Sequence, residues 1–179
     1  KEESKRTYAP IDRPVLYGII VDIPDMQPEE QKALWTDLHN TLDLPLLAPV
    51  TFEVSGHLVV SFRSILGAMD LAKVILKEMK SHFLADRLRM SLYASPAFLE
   101  PGTGDKEKVL SPTSRDQLLE LHAFVPVGGV YAFARFSSAL SLDVHHYSVD
   151  YAGLVTVAWH PQPLEIYRVN LLEGVSRLS

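Results

Sequence analysis

The run Val15-Leu-Tyr-Gly-Ile-Ile-Val21 constrains this chain more than any other stretch. It contains no charged residue and is rich in β-branched side chains, so it predicts a strand covered on both faces. The run stops at Asp22-Ile-Pro-Asp25, a turn-like sequence. Pro28 then suits a first helical turn, and Glu29 and Glu30 follow near the positive end of the helix dipole. Leu34, Leu38 and Leu42 recur every fourth residue and predict one buried helical face as far as Asp43.

The rest of the chain extends this alternation. Leu44 to Val50 carries Pro45 and Pro49 and reads as an irregular connection. Thr51 to Val54 and Leu58 to Phe62 predict two strands joined by Ser55-Gly56-His57. Ser64 is an N-cap for the strongest helical pattern, in which Ile65, Met69, Ala72, Ile75 or Leu76, Met79 and Phe83 form a core stripe. Met90 to Tyr93 predicts another strand, and the polar stretch Pro101 to Gln117 a mobile loop or hairpin tip. Phe124 to Val127 is expected to be a strand, Gly128-Gly129 a turn, and Val130 to Leu140 a helix. Leu154 to Trp159 and Leu164 to Val169 close the pattern as a hairpin around His160-Pro161-Gln162-Pro163. The order is β-α-β-β-α-β followed by a helix and a hairpin: an α+β, ferredoxin-like plan with extensions.

Composition narrows the function classes. The formal net charge is -5 over 179 residues, so there is no basic surplus for gripping nucleic acid. The chain has no cysteine, which removes disulfides, thiolate metal sites and cysteine nucleophiles. No apolar run approaches the ~20 residues of a membrane span. These features point to a cytoplasmic domain without direct membrane insertion. Residues 1–13, seven of them charged, are expected to be a linker or tail leading from a longer chain, with the domain spanning 14–173 and a short tail over 174–179.

Five segments in order resemble the catalytic domain of class III adenylyl and guanylyl cyclases. "YGIIVDIPDM" resembles the family's first strand and its phosphate-binding turn, with Asp22 at the first metal-binding aspartate. "SGHLVVSF" fills the place of the next hairpin, and Ile65 to Phe83 that of the long helix after it. "VYAFARFSSAL" resembles the helix whose arginine contacts phosphate, placing that role at Arg135. "YAGLVTVAWHPQPLEIYRV" resembles the terminal hairpin, so the likeness spans roughly residues 14 to 170.

The resemblance implies a two-metal reaction in which a ribose hydroxyl displaces pyrophosphate, and most of the groups for it are altered. The second metal aspartate falls at Gly56, or at His57 if the register slips by one. Glu53 lies on the preceding strand. The lysine and aspartate that read the base fall at Phe52 and near Phe124, and the ribose-orienting asparagine at Tyr131. The phosphate turn carries Pro24, which has no N–H, and Asp25, which repels phosphate if it points inward. At 4 Å and an effective dielectric near 20 that repulsion is about 4 kcal/mol. Asp22 and Arg135 alone keep the family's residue types.

The other histidines carry no ligand-like spacing along the sequence. His145 and His146 are adjacent and so point to opposite faces of a strand, while His39, His57, His82, His122 and His160 are scattered. The expectation is therefore a catalytically inactive cyclase homology domain, serving as a regulatory and dimerisation module of a larger signalling protein. It would pair with itself or with a related cyclase-like domain, or contact other domains of its own chain. No cofactor is expected. Mg²⁺ or Mn²⁺ and ATP enter only if the chain is one half of a heterodimeric cyclase, the first alternative. A ferredoxin-like protein-interaction module is the second.

Overall fold

The computed structural model of the protein describes residues 15–99, 108–143 and 147–171. The expected tails, 1–13 and 174–179, and the pair His145-His146 lie outside the described residues. Strand β1 (Val15–Asp22) forms where the apolar run required it, and all but Val15 and Tyr17 of its side chains are buried. It lies in a seven-stranded sheet of order β2-β3-β1-β4-β7-β9-β8. Within it, β2 (Thr51–Val54), β3 (Leu58–Phe62), β1 and β4 (Arg89–Pro96) are antiparallel neighbours and form the ferredoxin-like half. The short antiparallel strands β5 (Phe98–Leu99) and β6 (Lys108–Val109) form a separate pair, β7 (Gly129–Phe133) adds to β4 in parallel, and the hairpin β8 (Ser148–Val155) and β9 (Leu164–Asn170) completes the main sheet.

The two faces of the sheet are covered differently. On one face pack α1 (Pro28–Thr41), α3 (Ile65–Ser81) and α5 (Ala134–Asp143), with Trp35, Met69, Ile75 and Phe136 fully buried against Ile19, Val21 and Leu92. Burial of each such large side chain contributes roughly 1.5–3 kcal/mol. On the other face lies α4 (Pro112–His122), whose Leu118, Leu119 and Leu121 meet Ile20, Val59, Tyr93 and Phe133. Gly18 permits the crossing of Tyr93 over β1, because a Cβ there would overlap both the Tyr93 ring and the Val60 carbonyl.

Several expected elements are corrected. Part of the predicted loop Pro101 to Gln117 is helix α4, started by Ser111, whose side chain accepts the Ser114 N–H, and by Pro112 in the first turn. Phe124 to Val127 is not a strand. Its first amides finish the helix, Phe124 N–H bonding to Leu121 O and Val125 N–H to His122 O, and Pro126 has no N–H for a ladder. The helix predicted over Val130 to Leu140 is divided. Its first half is β7, held between β4 and β9, and helix begins only at Ala134.

Leu44–Leu47 is a single helical turn, α2, rather than irregular. The core stripe of α3 holds from Ile65 to Met79, but Phe83 lies past the helix end at φ 58° and is 94% exposed. Strand β8 runs over Ser148–Val155, earlier than the expected Leu154 to Trp159, because its partner β9 sets the register from Ser148↔Asn170 to Val155↔Leu164.

Candidate functional site

Asp22 ends β1, and the register of the sheet decides what surrounds it. The antiparallel pairing sets Arg89, the first residue of β4, directly across from Asp22. On the other side Val21 pairs with Leu58, which brings His57, at the end of the β2–β3 turn, alongside. Both oxygens of Asp22 are held by the Arg89 guanidinium, Nε donating to Oδ1 at 2.9 Å and Nη2 to Oδ2 at 2.8 Å. The remaining Arg89 nitrogen, Nη1, donates to the Ala123 carbonyl at 2.9 Å and so ties the end of α4 to the sheet.

Helix α4 supplies the fourth group. His122 is fully buried, with Nε2 2.7 Å from Asp22 Oδ1 and Nδ1 hydrogen-bonded to the hydroxyl of Ser91. Ser91 sits two residues beyond Arg89 on β4 and therefore on the same face. His57 Nε2 lies 3.7 Å from Asp22 Oδ2, and the two imidazole rings meet edge to face.

The electrostatics follow from that packing. Burial acts to raise the Asp22 carboxyl, but the hydrogen bonds and charges of Arg89 and His122 outweigh it and hold the group well below the usual carboxylate range. Burial lowers His122 and His57 from the ordinary histidine value despite the neighbouring carboxylate. The site is thus an ionised Asp–Arg pair flanked by two neutral imidazoles. In the neutral form His122 donates from Nε2 to Asp22 and accepts at Nδ1 from Ser91.

The Asp22–Asp25 turn is also engaged internally. Ile23 N–H donates to Gln31 Oε1 at 2.7 Å, and Met26 N–H to the Ile23 carbonyl at 3.0 Å. Asp25 does not point inward as feared for a phosphate. It pairs on the surface with Arg87, whose Nη2 is 2.9 Å from Oδ1, and Arg87 in turn keeps its carboxyl lowered.

The other positions singled out in the sequence are dispersed. Phe52 faces the α1 side, its ring edge to face with His39 at 4.7 Å between centroids. Its neighbour Glu53 turns to the α4 side and pairs with Arg115, Arg115 Nε donating to Oε2 at 3.0 Å. Gly56 lies in the β2–β3 turn beside Pro28, so His57 rather than Gly56 brings a side chain to Asp22. Tyr131 is buried under α4, whereas Phe124 is 56% exposed just past its end.

Arg135 is an exposed residue in the first turn of α5, not mid-helix. It borders an apolar groove of about 340 Å³ with Tyr93, Leu118 and Trp159. Because β7 runs with β4 and against β1, Arg135 lies at the opposite end of the sheet from Asp22. Arg135 borders a groove with Val15, and the seven residues of strand rise from Val15 to Asp22 put the two roughly 20 Å apart. The sequence singled out Asp22 but missed Arg89, Ser91 and His122 as its partners. Their positions become meaningful only through the β1–β4 register and the packing of α4.

A comparison with solved structures decides the architecture. The adenylyl cyclase CyaB from P. aeruginosa superposes with a TM-score of 0.65 at 15% identity, covering 89% of this chain and 95% of that one. The fold is that of the class III cyclase domains. An adenylate cyclase from Trypanosoma brucei gives a TM-score of 0.64 at 14% identity over 93% and 94% of the two chains. The guanylate cyclase domain of RhGC from Catenaria anguillulae, solved in complex with GTP, gives 0.63 at 10% identity over 89% and 97%. No protein-family model matches the chain, and no curated protein matches it in sequence.

The cyclase-like fold makes the fit of a divalent cation pair a direct question. Hard ions such as Mg²⁺ take oxygen ligands in near-octahedral geometry. Among the described residues, the cluster around Asp22 holds one carboxylate, already bound on both oxygens by Arg89, and two imidazoles. The residues present do not fit such a pair. Among the described residues no helix is long and apolar enough to cross a membrane.

Proposed function

We propose that the chain is a cyclase homology domain that makes no cyclic nucleotide and serves as a regulatory, dimerising module of a larger signalling protein in the cytoplasm. The observation that carries this reading is the bidentate Arg89–Asp22 pair. The carboxylate that would hold a catalytic cation is neutralised by a guanidinium, and among the described residues no second carboxylate joins its cluster. The turn after Asp22 supports the same reading, since the Ile23 amide is used by Gln31, the Met26 amide by the Ile23 carbonyl, and Pro24 has no N–H. Tyr131 and Phe124 fill positions where polar groups would recognise a nucleotide.

Dimerisation follows from the resemblance and from the placement of Arg135. One of the similar structures is a guanylyl cyclase domain described as a non-canonical dimer. Asp22 and Arg135 sit at opposite ends of one sheet, so only a second domain, placed head to tail, could bring such a pair together. The partner is a second copy or a related cyclase-like chain. No nucleotide cofactor is required.

The test is direct. The chain is incubated with ATP or GTP and Mn²⁺, and cyclic nucleotide is measured against an Asp22→Ala, Arg135→Ala double variant. Equal background in both supports the reading, and product above the variant refutes it. Activity appearing only with a full-motif cyclase partner would favour the heterodimeric alternative. Sedimentation that shows a monomer at every concentration would refute the dimer.

A further inference from the structure

We propose that Asp22, His57 and His122 form a site for one borderline transition-metal ion, Zn²⁺ or a close chemical analogue, that staples the β2–β3 turn and α4 to the end of β1. One ligand atom from each residue lies within 4.8 Å of the other two. The donor set is two imidazole nitrogens and one carboxylate oxygen, a combination suited to Zn²⁺ and poorly suited to Mg²⁺. The three residues come from three different elements, so a bound ion would cross-link the sheet, the turn and the helix.

The three ligand atoms must be drawn together, since they lie within 4.8 Å of one another and the two histidines now face different oxygens of Asp22. Zinc bonds of about 2.0–2.2 Å in a tetrahedral site place ligand atoms about 3.4 Å apart. His57 Nε2 is already 3.7 Å from Asp22 Oδ2. His122 Nε2 is 2.7 Å from Oδ1, the length of a hydrogen bond, and must withdraw by about 0.7 Å as the ion replaces the shared proton. The His57 side chain is 37% exposed, which gives the ion an entry path and leaves a fourth position open to water.

The supporting groups are those a metal site requires. Ser91 holds His122 at Nδ1, and a hydroxyl both donates and accepts, so it suits either tautomer. When Nε2 ligates, Nδ1–H donates to Ser91 Oγ, the arrangement by which most metal-bound histidines are oriented. Arg89 orients the carboxylate through a hydrogen bond to each of its oxygens. Its positive charge opposes any cation. That cost falls hardest on ions held by charge alone, such as Mg²⁺, and less on an ion bound through imidazole nitrogen.

The experiment measures Zn²⁺ and Mg²⁺ binding to the purified chain by calorimetry, with Co²⁺ as an optical probe whose visible absorption intensifies in a four-coordinate site. One equivalent of Zn²⁺ is expected, with no detectable Mg²⁺. His57→Ala should weaken Zn²⁺ at least ~10-fold and remove the Co²⁺ band, at or above the loss that a supporting residue alone produces. Ser91→Ala should weaken it less. His82→Ala and a His145→Ala, His146→Ala double variant should leave it unchanged, which separates this site from the other histidines. If His57→Ala does not fold, His57→Gln provides the same reading. Absence of Zn²⁺ binding, or binding that survives the His57 variants, overturns the proposal. Neither result bears on cyclase inactivity, which is read by product formation.

Discussion

Replacing Arg89 by methionine keeps an unbranched apolar stem and removes the guanidinium, so Asp22 loses its principal partner. Asp22 has only 6% of its side chain exposed and Arg89 only 17%, so water replaces little of what is lost. Breaking a buried pair by removing one partner costs 3–5 kcal/mol, and the partial access of Arg89 to solvent favours the lower end, about 3 kcal/mol. For a domain of this size each kcal/mol shifts the melting temperature by about 2–4 °C, so Arg89→Met should melt about 6–12 °C lower.

The pH dependence gives a second check on the same variant. In the wild type, Asp22 titrates below its unfolded value, so its contribution is present above about pH 4 and is lost as pH falls further. In the variant burial dominates and raises the carboxyl, so protonation relieves the cost. The gap between the two proteins should be widest near neutrality and narrow towards acid. Urea denaturation of the wild type, Arg89→Met, Asp22→Asn and the double variant closes a cycle, with an expected coupling of at least ~1.5 kcal/mol. An Arg89→Met protein within about 1 kcal/mol of wild type, or an additive cycle, would refute the account of this pair.

Three further outcomes are expected. His122 titrates below its unfolded value, so stability should fall as pH drops from about 7 to 5, by up to about 1.4 kcal/mol per unit. Urea midpoints across that range check this, and His122→Gln should flatten the slope. Gly18→Ala should destabilise by roughly 3 kcal/mol through overlap with Tyr93 and the Val60 carbonyl, read as a lowered denaturant midpoint. Asp25→Asn, in contrast, should leave the melting temperature unchanged, because its pair with Arg87 is exposed.

The legible parts of the fold are those fixed by local pattern. The Val15–Val21 run, the Thr51–Phe62 hairpin and the stripe from Ile65 to Met79 each carry a local signal, β-branched residues, a turn or a helical period, that favours one element. The illegible parts had competing local signals. Val130 to Phe133 is apolar enough for helix or strand, and its place between β4 and β9 decided for strand. Helix α4 was obscured by the polar residues around it, although Ser111-Pro112 is a recognisable start. Phe83 fits the helical spacing, yet the helix ends at Ser81 and Phe83 itself takes the left-handed conformation.

The sequence by itself determined the alternation of strands and helices, the placement of Asp22 at a strand end, and the lack of a second carboxylate at Gly56 or His57. It could do so because burial period and residue chemistry are local properties. Only the tertiary structure decided what Asp22 does. Arg89 is 67 residues away along the chain and His122 is 100 away. Strand register set the first opposite Asp22, and helix packing set the second above it. Side-chain chemistry at such separations is joined by geometry that no local pattern encodes.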